Sequence, residues 1–421
     1  MDSIGKSKNL SIREFFAKYP TLFVLAIVTV MANMCYTTVI SLVPYYFRGN
    51  FAIKNDVLIG LAISGFVAAE TCLKPFAGAM GDRFRRTNLL NAGLFIGIFT
   101  PILLGHARNP YEFILVRMID GLGAALVWPA MIALMADTTD EKDRATAMSI
   151  FTMCLMAGMG AGVTMSPFLK ALFGTYSYVF GMMSVLMVAG FTVMFVFNKR
   201  VASAAKKQLR QNGQFERVSF RQNLKKLMST PVIYTQIVVL VILAFLQMFG
   251  TSMLTPTVFL FAADVLHWRE KHVWRGFLVA AIIVAAIAIP AGRLADRIGK
   301  ENSVKISMAL AAACLMTMAI VKEPWTLALA VIGYGISFVI GAPSWMALVT
   351  RGEWSGMRGA VLGVVTAFQG AGVIIGPTAG TLIWNHFGHY GPFGACASFL
   401  TVCAIVSLIG LRPIRKSPGS A

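Results

Sequence analysis

Charged residues are scarce in this sequence, and most of them are basic. Of 421 residues only 13% are Asp, Glu, Lys or Arg, while 57% are hydrophobic; soluble domains carry about 25% charged residues. The chain cannot cover itself with a water-facing surface, which excludes an ordinary soluble fold. Lys and Arg outnumber Asp and Glu by 37 to 18, giving a net charge of +19.

Histidine and cysteine are also infrequent, and neither forms a recognisable pattern. The five histidines lack metal-ligand spacing. The six cysteines all lie within apolar stretches: Cys35, Cys72, Cys154, Cys314, Cys396 and Cys403. The sequence also lacks a Ser/His/Asp arrangement, a His-x-x-x-His zinc pattern and a phosphate-binding loop. We therefore expect no disulfide, no metal site and no enzymatic activity.

The sequence is dominated by long apolar runs. Each has about 20 residues or more, the length a helix needs to cross a hydrocarbon core of about 30 Å. The runs predict an all-α integral membrane protein, a multi-pass protein of the plasma (inner) membrane with twelve transmembrane helices. The predicted spans are 21–47, 57–79, 88–106, 111–136, 146–169, 176–197, 232–262, 276–294, 303–321, 325–349, 359–384 and 392–411.

The basic residues predict how the chain is oriented. Most Lys and Arg residues fall in the two tails and in the loops after even-numbered spans, and short loops rich in these residues remain in the cytoplasm. Both tails, 1–20 and 412–421, are therefore predicted to be cytoplasmic, as is a basic linker at 198–231. Because this bias explains the net charge, no nucleic-acid partner is expected. The basic residues within 199–226 either contact anionic headgroups or form a solvated linker.

The two halves of the sequence repeat each other at an offset of 214 positions. Matching pairs include Gly121 and Gly335, Pro129 and Pro343, Gly158 and Gly372, Gly162 and Gly376, and Gly174 and Gly388. Many matches in one register indicate a tandem duplication. The sequence therefore predicts two pseudo-symmetric six-helix bundles, at 21–197 and 232–411.

Two charged loops, 78–86 and 292–300, are the clearest copies of the repeat. Their charges cannot enter hydrocarbon and must stay at the membrane face. An acidic side chain there can bond to the free amides at a helix start, and an arginine can hold the carboxylate of Asp137 at the end of span 4. We expect a cytoplasmic gate that acts as a latch between the halves. Its predicted residues are Gly78, Asp82, Arg83, Asp137, Gly292, Asp296 and Arg297.

These loops resemble the signature of the major facilitator superfamily of secondary transporters, Gly-x-Leu-x-Asp-Arg-x-Gly-Arg-Lys. The second copy follows the signature from Gly292 to Gly299. The first copy departs at three positions, Met80, Arg85 and Thr87. Span 4 is similar to a second superfamily pattern, Arg-x-x-Gln-Gly-x-Gly-x-Ala, with Asp120 in place of glutamine. Span 11 resembles a Gly- and Pro-rich pattern of the proton-coupled drug antiporters, through Gly372, Gly376, Pro377 and Gly380.

The resemblance implies how such a chain is built and powered. It implies two halves that rock around a midplane site, with a proton gradient as the energy source and no cofactor. It further implies a small-molecule substrate and a chain that works as a monomer in the lipid bilayer. Spans 1, 4, 7 and 10 would line the central cavity. The candidate cavity residues are Asn33, Tyr36, Thr37, Ser41, Trp128, Gln247, Thr251, Thr255, Tyr334, Ser337 and Trp345.

Charged residues inside the predicted spans are the candidates for proton coupling. Arg117 and Asp120 are three residues apart and share a face of span 4. Charges at such depth are costly and by default indicate a pathway, although a permanent structural ion pair would have the same spacing. Glu70 and Lys74 form a second pair in span 2, either as a further proton site at Glu70 or as a structural contact. The predicted coupling residues are Asp120, Arg117 and Glu70.

Together these features predict a secondary active transporter. The candidate cavity is aromatic and poor in charge, which suits an amphipathic organic compound better than a phosphate or a dicarboxylate. The leading hypothesis is proton-coupled export of such compounds by alternating access. Alternatives with the same fold are a lipid or lysolipid translocase and a proton-coupled metabolite symporter. A non-transporting membrane receptor is a more remote alternative.

Overall fold

All regular secondary structure in the described part of the chain is helical. The computed structural model describes residues 12–53, 55–140, 143–211, 231–267, 297–321, 323–349 and 358–410, with a few positions between 275 and 290. The helices are α1 (Ile12–Lys18), α2 (Pro20–Asn50), α3 (Val57–Arg83), α4 (Arg86–Gly105), α5 (Pro110–Asp137), α6 (Arg144–Phe173), α7 (Tyr176–Gln211), α8 (Pro231–Asp264), α9 (Lys300–Ile320), α10 (Pro324–Val349), α11 (Arg358–Phe387) and α12 (Gly391–Gly410).

Eleven of these helices, α2 to α12, are long and apolar enough to cross a membrane. They correspond to eleven of the twelve predicted spans, and the remaining span, 276–294, falls mostly outside the described residues. Helix α7 continues to Gln211, so the predicted linker at 198–231 begins inside a helix. Its last turns bury Val201, Ala205 and Gln208 along one face, which explains why the helix continues past the apolar run.

The two ends of the bundle are distinguished by their loops. The N-terminal face carries α1 and the connections 84–85 and 138–143. The far face carries the connections 51–56, 106–109, 174–175 and 388–390. The charge distribution predicts that the N-terminal face is cytoplasmic.

The sequence repeat has a direct structural counterpart in helix packing. A methyl group added at Gly162 of α6 would lie 2.6 Å from the carbonyl oxygen of Met34 in α2. At the repeat-related Gly376 of α11, a methyl group would lie 2.7 Å from the carbonyl oxygen of Phe249 in α8. Small residues allow membrane helices to approach this closely. Each half therefore contains the same tightly packed helix pair, α2 with α6 and α8 with α11.

The ends of the helices show where the repeat is kept and where it is lost. Gly174 and Gly388, which are repeat-related, follow α6 and α11 with φ of 72° and 79°, a conformation that favours glycine. Gly299 also has a positive φ of 91° before α9. Its counterpart Arg85 precedes α4 with φ of −63°. The loss of glycine from the first charged loop thus coincides with a different backbone.

Helix α1 is held against the N-terminal face by a polar cluster. The Tyr19 hydroxyl bonds to the carboxylates of Asp140 at 2.6 Å and Asp143 at 2.7 Å, and Lys18 pairs with Asp143 at 2.6 Å. Gln208, near the end of α7, donates to Asp140. Three separate segments of the N-terminal half are therefore joined by these contacts.

The cluster changes the proton affinities of its members. Hydrogen bonds from Tyr19 and then Lys18 lower the pKa of Asp140. Lys18 and then Tyr19 lower the pKa of Asp143. Burial and the bond to Asp140 raise the pKa of Tyr19 to about 12, and the bond to Asp143 raises the pKa of Lys18. At neutral pH both carboxylates are charged while Tyr19 and Lys18 keep their protons, as the contacts require.

Candidate functional site

A buried ion pair lies inside the N-terminal half, in α5. Arg117 and Asp120 are joined through Arg117 Nη1 and Asp120 Oδ2, and their side chains are 0% and 4% exposed. The Thr100 hydroxyl of α4 donates to Asp120 Oδ1 at 2.7 Å. Two of the three candidate coupling residues are therefore in direct contact. Thr100 was not identified from the sequence, since its contact joins two helices and leaves no periodic signal.

The guanidinium of Arg117 lies among aromatic rings. Its Cζ is 4.1 Å from the centroid of the Phe66 ring of α3, a distance at which a cation is attracted to an aromatic face. Tyr36 of α2 lies beside Phe66, with ring centroids 5.7 Å apart, and beside Trp128 of α5 at 5.9 Å. Two candidate cavity residues, Tyr36 and Trp128, thus belong to the same cluster as the ion pair.

This cluster contains polar atoms without partners. Among the described residues, Arg117 Nε, Arg117 Nη2 and Tyr36 Oη are buried and have no hydrogen-bond acceptor or donor. Most buried polar groups in proteins have a partner, and unpaired groups of this kind are expensive in a membrane interior. Arg117 is therefore only partly satisfied by Asp120.

The second predicted pair is formed in α3, closer to the N-terminal face. Glu70 Oε1 and Lys74 Nζ are 2.7 Å apart, and their side chains are 13% and 42% exposed. The backbone of Glu70 contacts α5 directly. A methyl group at Gly121 would lie 3.1 Å from Glu70 N and 2.3 Å from Phe66 O. Gly121 thus brings the helix with Asp120 against the helix with Glu70.

The other candidate cavity residues of α2 bond mainly to backbone. Asn33 Nδ2 donates to the carbonyl of Leu155 in α6 at 2.6 Å. The Thr37 hydroxyl donates to the carbonyl of Asn33 at 2.7 Å, and buried Ser41 donates to that of Thr38 at 2.9 Å. Asn33 therefore connects α2 to α6, whereas Thr37 and Ser41 satisfy their hydroxyls within α2.

The candidates in the C-terminal half are more dispersed. In α8, Gln247 has a buried Oε1 without a partner among the described residues, and the carbonyl of Gln247 accepts from Thr251 at 2.8 Å. Thr255 is half-buried. In α10, buried Ser337 donates to the carbonyl of half-buried Tyr334 at 2.6 Å. Trp345 is packed within an apolar cluster that includes residues of α8, α9, α11 and α12.

The predicted gate is only partly described. The carboxylate of Asp137 pairs with Arg86 at the start of α4, so this ion pair joins two helices of one half. The position of Gly78 is open, with no heavy atom within 4 Å of an added methyl group, and Arg297 is exposed. The side chains of Asp82 and Arg83, and both Gly292 and Asp296, lie outside the described residues. A latch between the halves remains a prediction.

A polar contact between the halves lies at the far face, and sequence reasoning missed it. Arg48 at the end of α2 pairs with Asp56 at 2.8 Å and with Asp264 at the end of α8 at 2.5 Å. The Tyr45 hydroxyl donates to the carbonyl of Phe259 at 3.3 Å, and these two residues are related by the sequence repeat, 214 positions apart. The sequence feature that could have indicated it is the pair of opposite charges just after spans 1 and 7, Arg48 and Asp264.

Two further hydrogen bonds join α3 or the loop before it to α11. Thr378 Oγ1 donates to Ser64 Oγ at 2.9 Å, and Asn385 Nδ2 donates to Asn55 Oδ1 at 2.9 Å. All of these contacts lie toward the far face. The halves are therefore closed against each other there. We name the contacts of Arg48 with Asp56 and Asp264 the far-face lock.

Comparison with known proteins identifies the relatives of this chain. Residues 25–356 match the family model described as Major Facilitator Superfamily. Multidrug resistance protein 2 of Bacillus subtilis (strain 168) is 22% identical over 336 residues, which cover 80% of this chain and 82% of the relative. Multidrug resistance protein MdtG of Klebsiella pneumoniae (strain 342) is 23% identical over 363 residues, 84% of this chain and 83% of the relative.

Solved structures share the fold. The xylose transporter XylE from E. coli, in an inward open conformation, has a TM-score of 0.73 at 15% identity and covers 95% of this chain and 98% of its own. A bacterial homolog of the human lysosomal transporter Spinster, in an inward-facing conformation, has a TM-score of 0.68 at 14% identity, covering 93% and 96%. With its apolar helices and the family match over most of its length, the chain is a multi-pass membrane transporter that belongs to the Major Facilitator Superfamily.

Proposed function

We propose that this transporter exports small amphipathic organic compounds in exchange for protons. The observation that carries the proposal is the ion pair of Arg117 and Asp120, a carboxylate buried in the membrane interior beside an arginine whose only hydrogen-bond partner among the described residues is that carboxylate. The names of the multidrug resistance relatives support export of organic compounds. They favour it over a lipid translocase, a metabolite symporter or a receptor.

The ion pair provides a physical means of coupling. While Asp120 is charged, it neutralises Arg117. A proton on Asp120 removes that neutralisation and leaves a buried cation, and breaking a buried pair costs about 3–5 kcal/mol. A difference of that size changes the ratio of two conformations by roughly two to four orders of magnitude. Protonation therefore favours any arrangement of the helices that gives Arg117 another partner or access to water.

The surroundings of the pair support an amphipathic substrate. Tyr36 and Trp128 offer aromatic surface next to an unpaired hydroxyl, and Gln247 of the other half offers an unpaired amide oxygen. Aromatic surface with a few polar groups is typical of sites for organic molecules. A phosphate or dicarboxylate would need more positive charge than this site offers.

The conformation corresponds to one state of an alternating-access cycle. The halves are closed at the far face, and the N-terminal face is the one that the charge pattern predicts to be cytoplasmic. In the proposed export cycle, this is the state that would load substrate from the cytoplasm. We further propose that it works as a monomer in the bilayer, with the proton gradient as its energy source and without a cofactor.

The test is transport by purified protein in sealed liposomes. An amphipathic fluorescent dye such as ethidium reports flux, and a trapped pH-sensitive dye reports proton movement. Asp120→Asn should abolish proton-driven flux while the protein remains folded and inserted. The matched control is Glu112→Gln, which neutralises an exposed carboxylate at the far face. Transport by Asp120→Asn with the pH dependence of the unmodified protein would refute the coupling role.

A further inference from the structure

Four charged side chains lie together in α3 and α5, and their charges balance. Glu70 is paired with Lys74, and Asp120 with Arg117. The two pairs differ in access to water, since the Lys74 side chain is 42% exposed and that of Arg117 is 0% exposed. Lys74 can therefore lose its partner and remain hydrated near the N-terminal face. The buried Arg117 side chain has no such access to water.

Only one nitrogen of the Arg117 guanidinium has a hydrogen-bond partner among the described residues. Its Nη1 contacts Asp120, whereas Nε and Nη2 have no acceptor among the described residues. Its guanidinium lies over the ring of Phe66, which is one helical turn before Glu70 on α3. Residues four apart share a helix face, so the Glu70 side chain lies on the face of α3 that Arg117 already contacts.

Few charged groups are available as an alternative partner. The described titratable groups that act electrostatically on Arg117 are Asp120 of its own helix, Cys35 and Tyr36 of α2, and Glu70 of α3. Thr100, from α4, is not titratable. A thiol and a phenol are ordinarily neutral at pH 7. Once Asp120 is protonated, Glu70 is therefore the remaining carboxylate in this group.

We propose that Glu70 is the second partner of Arg117, and that the two pairs exchange when a proton arrives. A proton from water forms an O–H bond on the Asp120 carboxylate. Glu70 then leaves Lys74 and pairs with Arg117, and Lys74 is left to water. The number of buried charges without a partner stays at zero in both states. The proposal rests on the proposed proton coupling and adds a positioning role for Glu70 and Lys74.

The exchange makes a prediction that simple through-space electrostatics does not. Glu70→Gln removes the second partner, so Asp120 should take up its proton at a pH lower by about one unit or more. Lys74→Gln frees Glu70, so protonation should occur at a higher pH. Through-space electrostatics shifts the protonation pH of Asp120 in the same direction in each single variant. Those shifts are additive, however, and they nearly cancel in the double variant that carries both Glu70→Gln and Lys74→Gln. Under the exchange Lys74 acts only through Glu70, so the double variant should behave like Glu70→Gln alone.

The readout is infrared difference spectroscopy of purified protein in lipid nanodiscs, titrated with acid. The carboxylic acid band that disappears in Asp120→Asn gives the protonation midpoint directly, without a substrate. Glu112→Gln, which removes a carboxylate outside the cluster, should leave the midpoint unchanged. Glu70→Asp, which keeps the charge on a shorter side chain, should lie between the unmodified protein and Glu70→Gln, and thermal unfolding confirms that each variant is folded.

The outcomes separate the two proposals. A double variant whose midpoint returns to that of the unmodified protein overturns the exchange, as does a Glu70→Gln variant with no shift. The proton-coupled export could still hold in that case, since Asp120→Asn tests it independently in liposomes. Conversely, an intact exchange with no proton-driven dye flux would refute the proposed function and leave the behaviour of Glu70 established.

Discussion

The far-face lock provides the most direct test of how the two halves are held together. Asp264→Asn removes one charge from the contact between α2 and α8 while leaving the pair of Arg48 with Asp56 intact, which lies within the N-terminal half. We expect this substitution to favour states in which the far face is open. The local structure at the end of α2 should remain, because Arg48 keeps a partner.

The magnitude follows from the geometry of the contact. Arg48 Nη1 and Asp264 Oδ1 are 2.5 Å apart, and the two side chains are 29% and 25% exposed, so water screens the pair only in part. A hydrogen bond to a charged group contributes about 1.5–3 kcal/mol. Because Asn can still accept one bond from Arg48, we expect the lower value. That corresponds to roughly a tenfold larger population of the open far face.

The assay follows a cysteine that is protected only while the far face is closed. Ser64 is 8% exposed and bonds to Thr378 of the other half, so Ser64→Cys should react slowly with a membrane-impermeant thiol reagent added at the far face of sealed vesicles. In a background without the native cysteines, Asp264→Asn should increase the reaction rate about tenfold. The control Glu112→Gln makes the same charge change elsewhere on that face. Equal rates in the two variants would mean that the lock does not hold the halves together.

Three further predictions concern packing and the N-terminal face. Gly162→Val should lower the thermal unfolding temperature, because overpacking costs about 1–3 kcal/mol where α6 meets α2, while Gly160→Ala, at a position with nothing within 4 Å, should not; equal effects would contradict the packing argument. Tyr19→Phe should increase the mobility of a fluorescent label on α1, since the hydroxyl holds Asp140 and Asp143. In the unmodified protein the same mobility should rise as the pH falls below about 4, because these two carboxyls have lowered pKa values and their stabilising contribution is lost on protonation; a label that stays immobile in acid would argue against the cluster.

The membrane-spanning helices were predictable because each span is a continuous apolar run in the sequence. Eleven apolar runs became eleven membrane-crossing helices, and the bounds shifted mainly where a helix leaves hydrocarbon. Helix α1 and the last turns of α7 lie outside the apolar runs. Their position depends on contacts among distant residues, such as Tyr19 with Asp140 and Gln208 with Asp140, which hydropathy does not report.

The same distinction applies to the site. Pairs at i, i+3 and i, i+4 follow from helix geometry, and Arg117 with Asp120 and Glu70 with Lys74 are formed as that spacing predicts. The groups that complete the site come from other helices. Thr100 and Phe66 have no charge or motif to distinguish them, so only the packing of α3, α4 and α5 reveals their contacts with the ion pair.

The repeat preserves packing but not charge, and this difference places the proposed proton site in one half. At the positions 214 beyond Arg117 and Asp120 stand Val331 and Tyr334, so the second bundle has no equivalent pair. A change at Asp120 must therefore reach the other half through contacts. Helix α3 provides them. Thr71, adjacent to Glu70, lies so close to α11 that a methyl group at Gly370 would be 2.6 Å from its Cγ2, and Ser64 on the same helix bonds to Thr378. The helix that carries Glu70, the proposed second partner of Arg117, is thus itself packed against the opposite half, which gives a change of ion-pair partner a short mechanical route to the interface between the halves.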